Sequence, residues 1–238
     1  MRREDVAIYD DHAAKWWDGS VRWVRTLQAM VPARFQRFDA EMEAVFGGWD
    51  GRDVLDLGCA GGFMTEALAA RGARPIGIDP SQGAIAAARA HAAGEGIQIR
   101  YLNGVGEDLP FAEDSFDAVV CVDVLEHVES LRRTLDEVAR VLRPGGLFLF
   151  DTINRNPLAT FAVVTMAERV LRLLPRGAHD PAQFIRPRTL RTMLEARGFT
   201  VGPLQGLGPA GIDRRGDLHF GLLPMTTVVY IGAARASG

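Results

Sequence analysis

The chain has little of what marks secreted, membrane-spanning or nucleic-acid-binding proteins. Its two cysteines, Cys59 and Cys121, lack disulfide or metal spacing, so we expect a reducing cytoplasm. The sequence has no apolar run of about 18 residues and no signal pattern after Met1, so we expect neither a membrane-spanning segment nor secretion. A net charge of -3 gives no reason to expect nucleic acid as a partner.

What the chain does have is a regular alternation of apolar runs and helical patterns over 238 residues, enough for one α/β domain but not two. The alternation predicts a doubly wound, mostly parallel, Rossmann-like α/β sheet. The predicted strands lie at 54–57, 75–78, 98–102, 118–122 and 147–151, with a late pair near 199–204 and 226–233.

Residues 1–238 are interpreted as one domain in four parts. The parts are a helical cap at 1–47, a ligand-binding core at 48–153, an insertion at 154–187 and a C-terminal part of the fold at 188–238. Within the last part, 205–225 is glycine-rich with weak patterning. Segments outside an alternating core usually cover the ligand cleft, so we expect substrate choice to reside there.

The most informative motif is the segment V-L-D-L-G-C-A-G-G at 54–62, followed by I-G-I-D at 76–79. An apolar strand stops at small residues, a helix follows, and the next strand ends on Asp79. Glycine lets the backbone approach a ligand closely, and an acid at a strand end can accept both hydroxyls of a ribose. Without a ligand the same residues would form only a tight strand-to-helix turn.

The motif does not match the phosphate-binding pattern of dinucleotide sites. That pattern needs G-x-G-x-x-G at a helix N-terminus, whereas Asp56 stands two residues before Gly58 and would repel a phosphate. A carboxylate suits a cation, and S-adenosylmethionine (SAM) carries a sulfonium and an ammonium. Here the chain resembles the class I SAM-dependent methyltransferases. The resemblance implies that SAM is held by Asp56, Gly58, Cys59, Ala60, Gly61 and Asp79.

Polar residues follow the fourth predicted strand in the order Asp123, Glu126 and His127. An unperturbed imidazole titrates near pH 6.5, so His127 can serve as a general base that takes a phenolic proton. It can equally cap a helix or bind a neighbour. Two carboxylates and an imidazole can also bind a divalent ion, so Asp123, Glu126 and His127 form a second, metal-binding hypothesis.

Further motifs resemble the ubiquinone-biosynthesis O-methyltransferases. They are T-x-N-R-N at 152–156 and R-x-x-P-x-G-x-H-D-x-x-x-F-I-x-P at 172–187, and the resemblance covers most of 9–207. It implies methylation of a hydroxyl on a polyprenylated catechol, with catalytic roles for His127 and Glu126. It also implies Mg²⁺ at the acid, Glu and His after strand four, although Asp123 stands where Glu is usual. Arg34 would meet the SAM carboxylate, and Gly106 and Val122 complete the pocket.

The insertion has an amphipathic pattern when it is drawn as an α-helix. Val163, Met166, Ala167, Val170 and Leu174 share one face, and Thr165, Glu168, Arg169 and Arg172 share the other. Such a helix can pack on the protein's own core. The family resemblance favours the alternative, peripheral contact of 158–187 with the inner face of a membrane.

Two departures from the family pattern leave other functions open. The stretch 218–230 lacks the family's glycine-proline loop and Asn-Tyr element, and the segment after Trp17 is also unusual. Both lie where an acceptor would bind. One alternative is therefore an O-methyltransferase of a soluble phenolic or polyketide metabolite. Another is a non-catalytic SAM-binding scaffold subunit. Composition rich in alanine and arginine favours a bacterial source, and the sequence predicts no oligomeric state.

Overall fold

A computed structural model describes residues 3–238 and places a nine-stranded sheet at the centre of the protein. The strand order is β3-β2-β1-β4-β5-β9-β7-β8, and β6 pairs with β9. The strands are β1 (Asp53–Leu57), β2 (Arg74–Asp79), β3 (Arg100–Asn103), β4 (Phe116–Cys121), β5 (Leu142–Ile153), β6 (Phe199–Val201), β7 (Gln205–Ile212), β8 (Leu218–Leu223) and β9 (Val229–Ala236).

Helices flank the sheet. They are α1 (Arg3–His12), α2 (Arg22–Phe46), α3 (Phe63–Ala69), α4 (Gln82–Gly94), α5 (Leu131–Val141), α6 (Pro157–Thr160) and α7 (Pro187–Glu195). A 3₁₀ turn spans Ala13–Lys15 and a π-helix spans Phe161–Val170. Ser81 and Ser130 cap α4 and α5 by accepting hydrogen bonds from backbone N–H groups. Of the predicted cap, residues 1–2 lie outside the described residues.

The parallel half of the sheet confirms the predicted Rossmann-like fold. Strands β1 to β5 pair in parallel, and their side chains are apolar on both faces because helices cover both sides. In such a sheet the loops after the strands meet at one edge. The segments that follow β1, β2 and β4 therefore come together, and these are the segments that carry the sequence motifs.

The C-terminal half contains a hairpin that the sequence pattern did not predict. Strands β7 and β8 pair antiparallel within the glycine-rich stretch 205–225, and β7 continues the sheet from β9. Backbone hydrogen bonds define this hairpin, and the glycines of β7 leave that strand with only a weak apolar pattern. A side chain at Gly206 would overlap the backbone of Met225, so the hairpin needs glycine there for close packing.

The insertion also differs from the predicted α-helix. Phe161–Val170 is a π-helix, which winds more residues into each turn, so the faces of an α-helical wheel do not apply. Glu168, predicted on the wet face, is only 1% exposed. Val170, predicted on the apolar face, is 58% exposed. The α-helical interpretation of the insertion was therefore wrong at both positions.

Candidate active site

A cleft opens at the carboxyl edge of the parallel strands. It is formed by the loops after β1, β2, β3 and β4 together with α1 and α2. Most of the residues predicted to bind the cofactor line it, namely Arg34, Asp56, Gly58, Cys59, Ala60, Asp79, Gly106 and Val122. The fold thus brings together side chains from five separate segments of the sequence.

The turn after β1 owes its shape to unusual backbone conformations. Gly58 has a φ of +78° and Ala60 a φ of +45°, and a side chain at Gly58 would overlap Val124. The N–H groups of Gly58 and Cys59 both donate to the carbonyl of Ile78, at 2.8 and 3.2 Å. Non-glycine residues with positive φ are held there only by surrounding structure and often occur at ligand sites.

Asp56 and Asp79 put two buried carboxyl groups on the wall of this cleft. Burial, together with the charge of Asp79, raises the pKa of Asp56 to about 7, although a hydrogen bond from Thr65 acts to lower it. Oδ1 of Asp56 is buried without a hydrogen-bond partner among the described residues, and a cationic ligand would satisfy it. Burial also raises the pKa of Asp79 to about 6, although Ser81 and Ala60 donate backbone N–H groups to it at 2.8 and 3.0 Å.

Gly61 is the one predicted cofactor residue of the β1 loop that does not line the cleft. The ring of Trp16 covers it, and a side chain at Gly61 would overlap that ring. The indole of Trp17 donates to the Gly61 carbonyl at 2.9 Å and stacks on His91, with ring centroids 3.5 Å apart. These contacts hold the cap segment before α2 against the ligand loop. The lack of a side chain at Gly61 allows the ring of Trp16 to pack closely on it.

Arg34 is buried and already paired with two acids. It contacts Asp151 at 2.6 Å and also the carboxylate of Asp123. Burial would lower the pKa of Arg34, but the two acids more than offset this, so its pKa is raised. Asp123 has a φ of +54°, and its N–H donates to Asp151 at 2.8 Å. These contacts hold Asp123 at the floor of the cleft.

The acid and histidine groups after β4 meet a third residue from the insertion. Glu126, His127 and His179 each present a donor atom within 4.8 Å of the others. Asp123, predicted to share a site with Glu126 and His127, does not belong to this group of three. Burial raises the pKa of Glu126 to about 7, and the hydroxyl of Thr152 donates to its Oε2 at 2.7 Å. Among the described residues, Glu126 Oε1 has no hydrogen-bond partner.

A second, larger cavity of about 390 Å³ adjoins the first, which measures about 80 Å³. Its walls come from α2, the π-helix and the loop after it, the β7–β8 hairpin and the segment before β9, and they are mainly apolar. The two cavities share Tyr9, Leu27, Asp123 and His127. His127 therefore faces both the cleft that contains Asp56 and Asp79 and the apolar cavity, where a group bound in one can react with a group bound in the other.

Sequence reasoning did not assign chemistry to His179 or find the walls of the apolar cavity. His179 stood within the G-x-H-D motif, but sequence spacing cannot show that it lies beside residues 126 and 127. The glycine-rich stretch that forms the hairpin has too weak an apolar pattern to mark it as two strands. Asp79, Asp56 and the glycine turn were predictable because a strand, a turn and a second strand place them within one local unit.

Comparisons with known proteins agree with this geometry. Residues 55–150 match a family described as "Methyltransferase domain". The ubiquinone biosynthesis O-methyltransferase of Hahella chejuensis is 37% identical over 209 residues, which are 84% of this chain and 85% of that protein. The protein of the same name from Pseudomonas fluorescens is 34% identical over 231 residues, 95% of this chain and 94% of that one.

Solved structures share the fold at lower identity. A SAM-dependent methyltransferase of Thermotoga maritima has a TM-score of 0.64 and 18% identity, covering 96% of this chain and 98% of its own. A SAM-dependent methyltransferase of Methanosarcina mazei has a TM-score of 0.59 and 22% identity, covering 79% and 93%. At these identities the comparison shows a common sheet architecture.

Proposed function

Because this chain belongs to the family of ubiquinone biosynthesis O-methyltransferases, we propose that it methylates a hydroxyl of a catechol that carries an apolar, polyprenyl-type substituent. The chain is a SAM-dependent O-methyltransferase. The observation that carries the proposed acceptor is the junction of the two cavities at His127. One cavity contains the buried acids Asp56 and Asp79, and the other is lined mainly by apolar side chains. The acceptor's tail would occupy the apolar cavity and its hydroxyl would lie at the junction.

SAM supplies an electrophilic methyl group when it is bound in the cleft. Asp56 would hold its cationic part, and Asp79 would accept hydrogen bonds from the ribose. His127 would take the proton of the acceptor hydroxyl, and the buried carboxyl of Glu126 beside it would stabilise the imidazolium that forms. The ring of Trp16 covers Gly61 and the indole of Trp17 donates to its carbonyl, so the cap segment holds the ligand loop in place. Positioning of the two reactants supplies much of the remaining acceleration.

A magnesium ion is a poor match for the donors beside His127. Mg²⁺ prefers oxygen ligands, whereas the group of three offers two imidazoles and one carboxylate. Asp123, the additional acid of the sequence hypothesis, is engaged by Arg34. The proposed reaction therefore has no step that depends on Mg²⁺.

The tail of the acceptor separates this proposal from its main alternative, a soluble phenolic or polyketide acceptor, which the unusual hairpin wall favours. We expect a prenylated catechol to have a kcat/KM at least about tenfold above that of the same catechol without the chain, since one buried isoprene removes apolar surface from water. Initial rates with labelled SAM measure this ratio. Equal kcat/KM values for the two acceptors would favour the soluble metabolite.

SAM binding should weaken as the pH falls. A cationic ligand favours the ionised form of Asp56, whose pKa is about 7 in the empty protein, so binding releases a proton and becomes weaker as that carboxyl is protonated. Asp79, with a pKa of about 6, adds to the effect at lower pH. We expect roughly tenfold weaker binding at about pH 6 than at about pH 8. Calorimetry in buffers of different ionisation enthalpy measures both the affinity and the released proton.

The matched variant for this experiment is Asp56→Asn, because asparagine has nearly the same shape as aspartate but no ionisable carboxyl group. It should bind SAM more weakly at about pH 8 and show a flatter pH dependence. An affinity of the unchanged protein that is constant over this range would contradict the assignment of Asp56 to the cation.

We also propose that the insertion contacts a membrane surface from the cytoplasmic side. Among residues 3–238, no helix has the length and apolar character needed to cross a bilayer. The insertion nevertheless exposes large apolar side chains, namely Leu158, Phe161, Val170 and Leu171. The same segment also exposes four arginines, at positions 155, 169, 172 and 176. Apolar side chains with cationic neighbours suit an anionic lipid surface.

The variant Leu158→Ser/Phe161→Ser tests this contact. Both side chains are more than half exposed, so their loss should cost little stability but remove apolar area that would enter the lipid. We expect the partition coefficient for phosphatidylglycerol vesicles, measured in a flotation assay, to fall by about tenfold. The control is Ile212→Ser, which removes an exposed side chain from the β7–β8 hairpin instead. Equal binding by all three proteins would exclude this surface.

A further inference from the structure

Glu168 is a buried carboxylate in a segment that is otherwise apolar or exposed. Its side chain accepts three hydrogen bonds, from the N–H of Gly177 at 2.8 Å, the N–H of His179 at 3.1 Å and Nδ1 of His179 at 2.8 Å. A buried charge is costly unless it is hydrogen-bonded, so these donors account for its presence. They also fasten the loop after the π-helix and fix the ring of His179.

The bond to Glu168 decides which nitrogen of His179 is free to act elsewhere. In an imidazole the hydrogen bond made by one nitrogen sets the role of the other. With Nδ1 turned toward Glu168, the remaining nitrogen is Nε2, and His179 lines the apolar cavity. The rings of His179 and His127 lie 5.0 Å apart between centroids with an interplanar angle of 52°. Two imidazoles therefore lie side by side at the acceptor's end of the junction.

Glu168 is a buried residue within the π-helix. On an α-helical wheel this residue shares a face with Arg169 and Arg172, both of which are exposed. Glu168 is nevertheless buried, and it lies beside the loop that carries His179. π-helical turns are uncommon and frequently occur at functional sites, which agrees with a role for Glu168 beyond packing.

We propose that Glu168 is a positioning residue that holds His179 so that Nε2 binds the second oxygen of a catechol while the first oxygen lies at His127. This deepens the proposed function and rests on it. His127 faces both cavities, whereas His179 faces only the acceptor cavity. The oxygen at His127 is therefore the one that meets the methyl group. His179 makes the site selective for two adjacent hydroxyls and fixes which of them is methylated.

The test compares a catechol with the matched phenol that lacks the second hydroxyl, in the unchanged protein and in His179→Asn. Asparagine can still donate to Glu168 but has no counterpart of Nε2. We expect kcat/KM for the catechol to fall by about tenfold to a hundredfold, since one hydrogen bond to the acceptor is lost, and kcat/KM for the phenol to change by less than about threefold. The ratio of the two methylated catechol isomers should move toward equality. Glu168→Gln should give the same pattern with a smaller amplitude.

A purely structural role would lower kcat/KM for both acceptors by the same factor, and that result would overturn the inference. Unchanged values for both acceptors would overturn it as well. If the unchanged protein binds SAM but methylates neither acceptor, the proposed function itself fails. His219→Asn is the matched control, because His219 is exposed on β8, away from the cluster, and should leave all rates unchanged. Thermal melting checks that each variant is folded.

Discussion

Replacing His127 with alanine should leave SAM bound and remove most turnover. The side chain stands at the junction of the two cavities, with the buried carboxyl of Glu126 in the next position. General-base catalysis typically contributes about 10²–10⁴-fold, so we expect kcat to fall by that factor. The dissociation constant of SAM should stay within about threefold, because the acids assigned to the cofactor are Asp56 and Asp79. Calorimetry and initial rates on the same preparation measure the two quantities.

The pH dependence of the residual activity makes this test sharper. If His127 takes the proton, the rise of rate with pH that depends on the imidazole should be absent in the variant. A more acidic phenol should also recover part of the rate, because it needs less help to lose its proton. A variant that turns over as fast as the unchanged protein would eliminate the chemical role of His127. A loss of SAM affinity equal to the loss of rate would instead indicate a binding role.

Replacing Asp79 with alanine should have the opposite signature, with the loss appearing in SAM binding. Asp79 ends β2 on the wall of the cleft, and the N–H groups of Ala60 and Ser81 hold its carboxylate in place. Hydrogen bonds to a charged group are each worth about 1.5–3 kcal/mol when a partner is removed. Loss of two ribose contacts therefore predicts affinity at least about a hundredfold weaker, measured by calorimetric titration.

Two further variants separate the ribose contact from a general effect on the loop. Asp79→Asn keeps the side chain's shape and one acceptor oxygen, so its affinity should lie between those of Asp79→Ala and the unchanged protein. Asp108→Ala removes an exposed acid outside the cleft and should bind normally. Unchanged SAM affinity in Asp79→Ala would refute the assignment.

The sequence was sufficient to predict the parallel half of the fold. Apolar runs typical of buried parallel strands alternate with helical patterns along the chain, so β1 to β5 could be found from the sequence pattern, although the edge strand β3 has polar ends. Asp56, Gly58 and Asp79 could be placed for the same reason. Their positions depend on strand ends that one sheet edge brings together, and this follows from topology rather than from side-chain packing.

The acceptor side could not be predicted to the same depth, for three physical reasons. The β7–β8 hairpin lies in the glycine-rich stretch 205–225, where Gly206, Gly208, Pro209 and Gly211 interrupt the apolar pattern of β7. The π-helix changes the winding, so a wheel placed Glu168 outside and Val170 inside, against what the structure shows. His179 reaches the cluster through a loop from the insertion, and no local rule relates it to residues 126 and 127.

Asp123 illustrates how context changes the role of an acid. Its position after β4 suggested a ligand beside Glu126 and His127, but Arg34 binds its carboxylate and Asp151 accepts its N–H. The pairing partner lies 89 residues earlier, on α2, and only the tertiary structure shows it. The assignment of Arg34 to the SAM carboxylate stays a prediction. Asp123 and Asp151 already pair with Arg34, so most of its positive charge is neutralised before a ligand binds.

The most direct test of the proposed activity is to measure methyl transfer from labelled SAM to a short-chain prenylated catechol. Mass spectrometry of the product and scintillation counting of the transferred label give rate and position together. We expect a single methyl group on one hydroxyl of the catechol, and we expect His127→Ala to remove most of this turnover. Tight SAM binding without transfer to any catechol or phenol would contradict it.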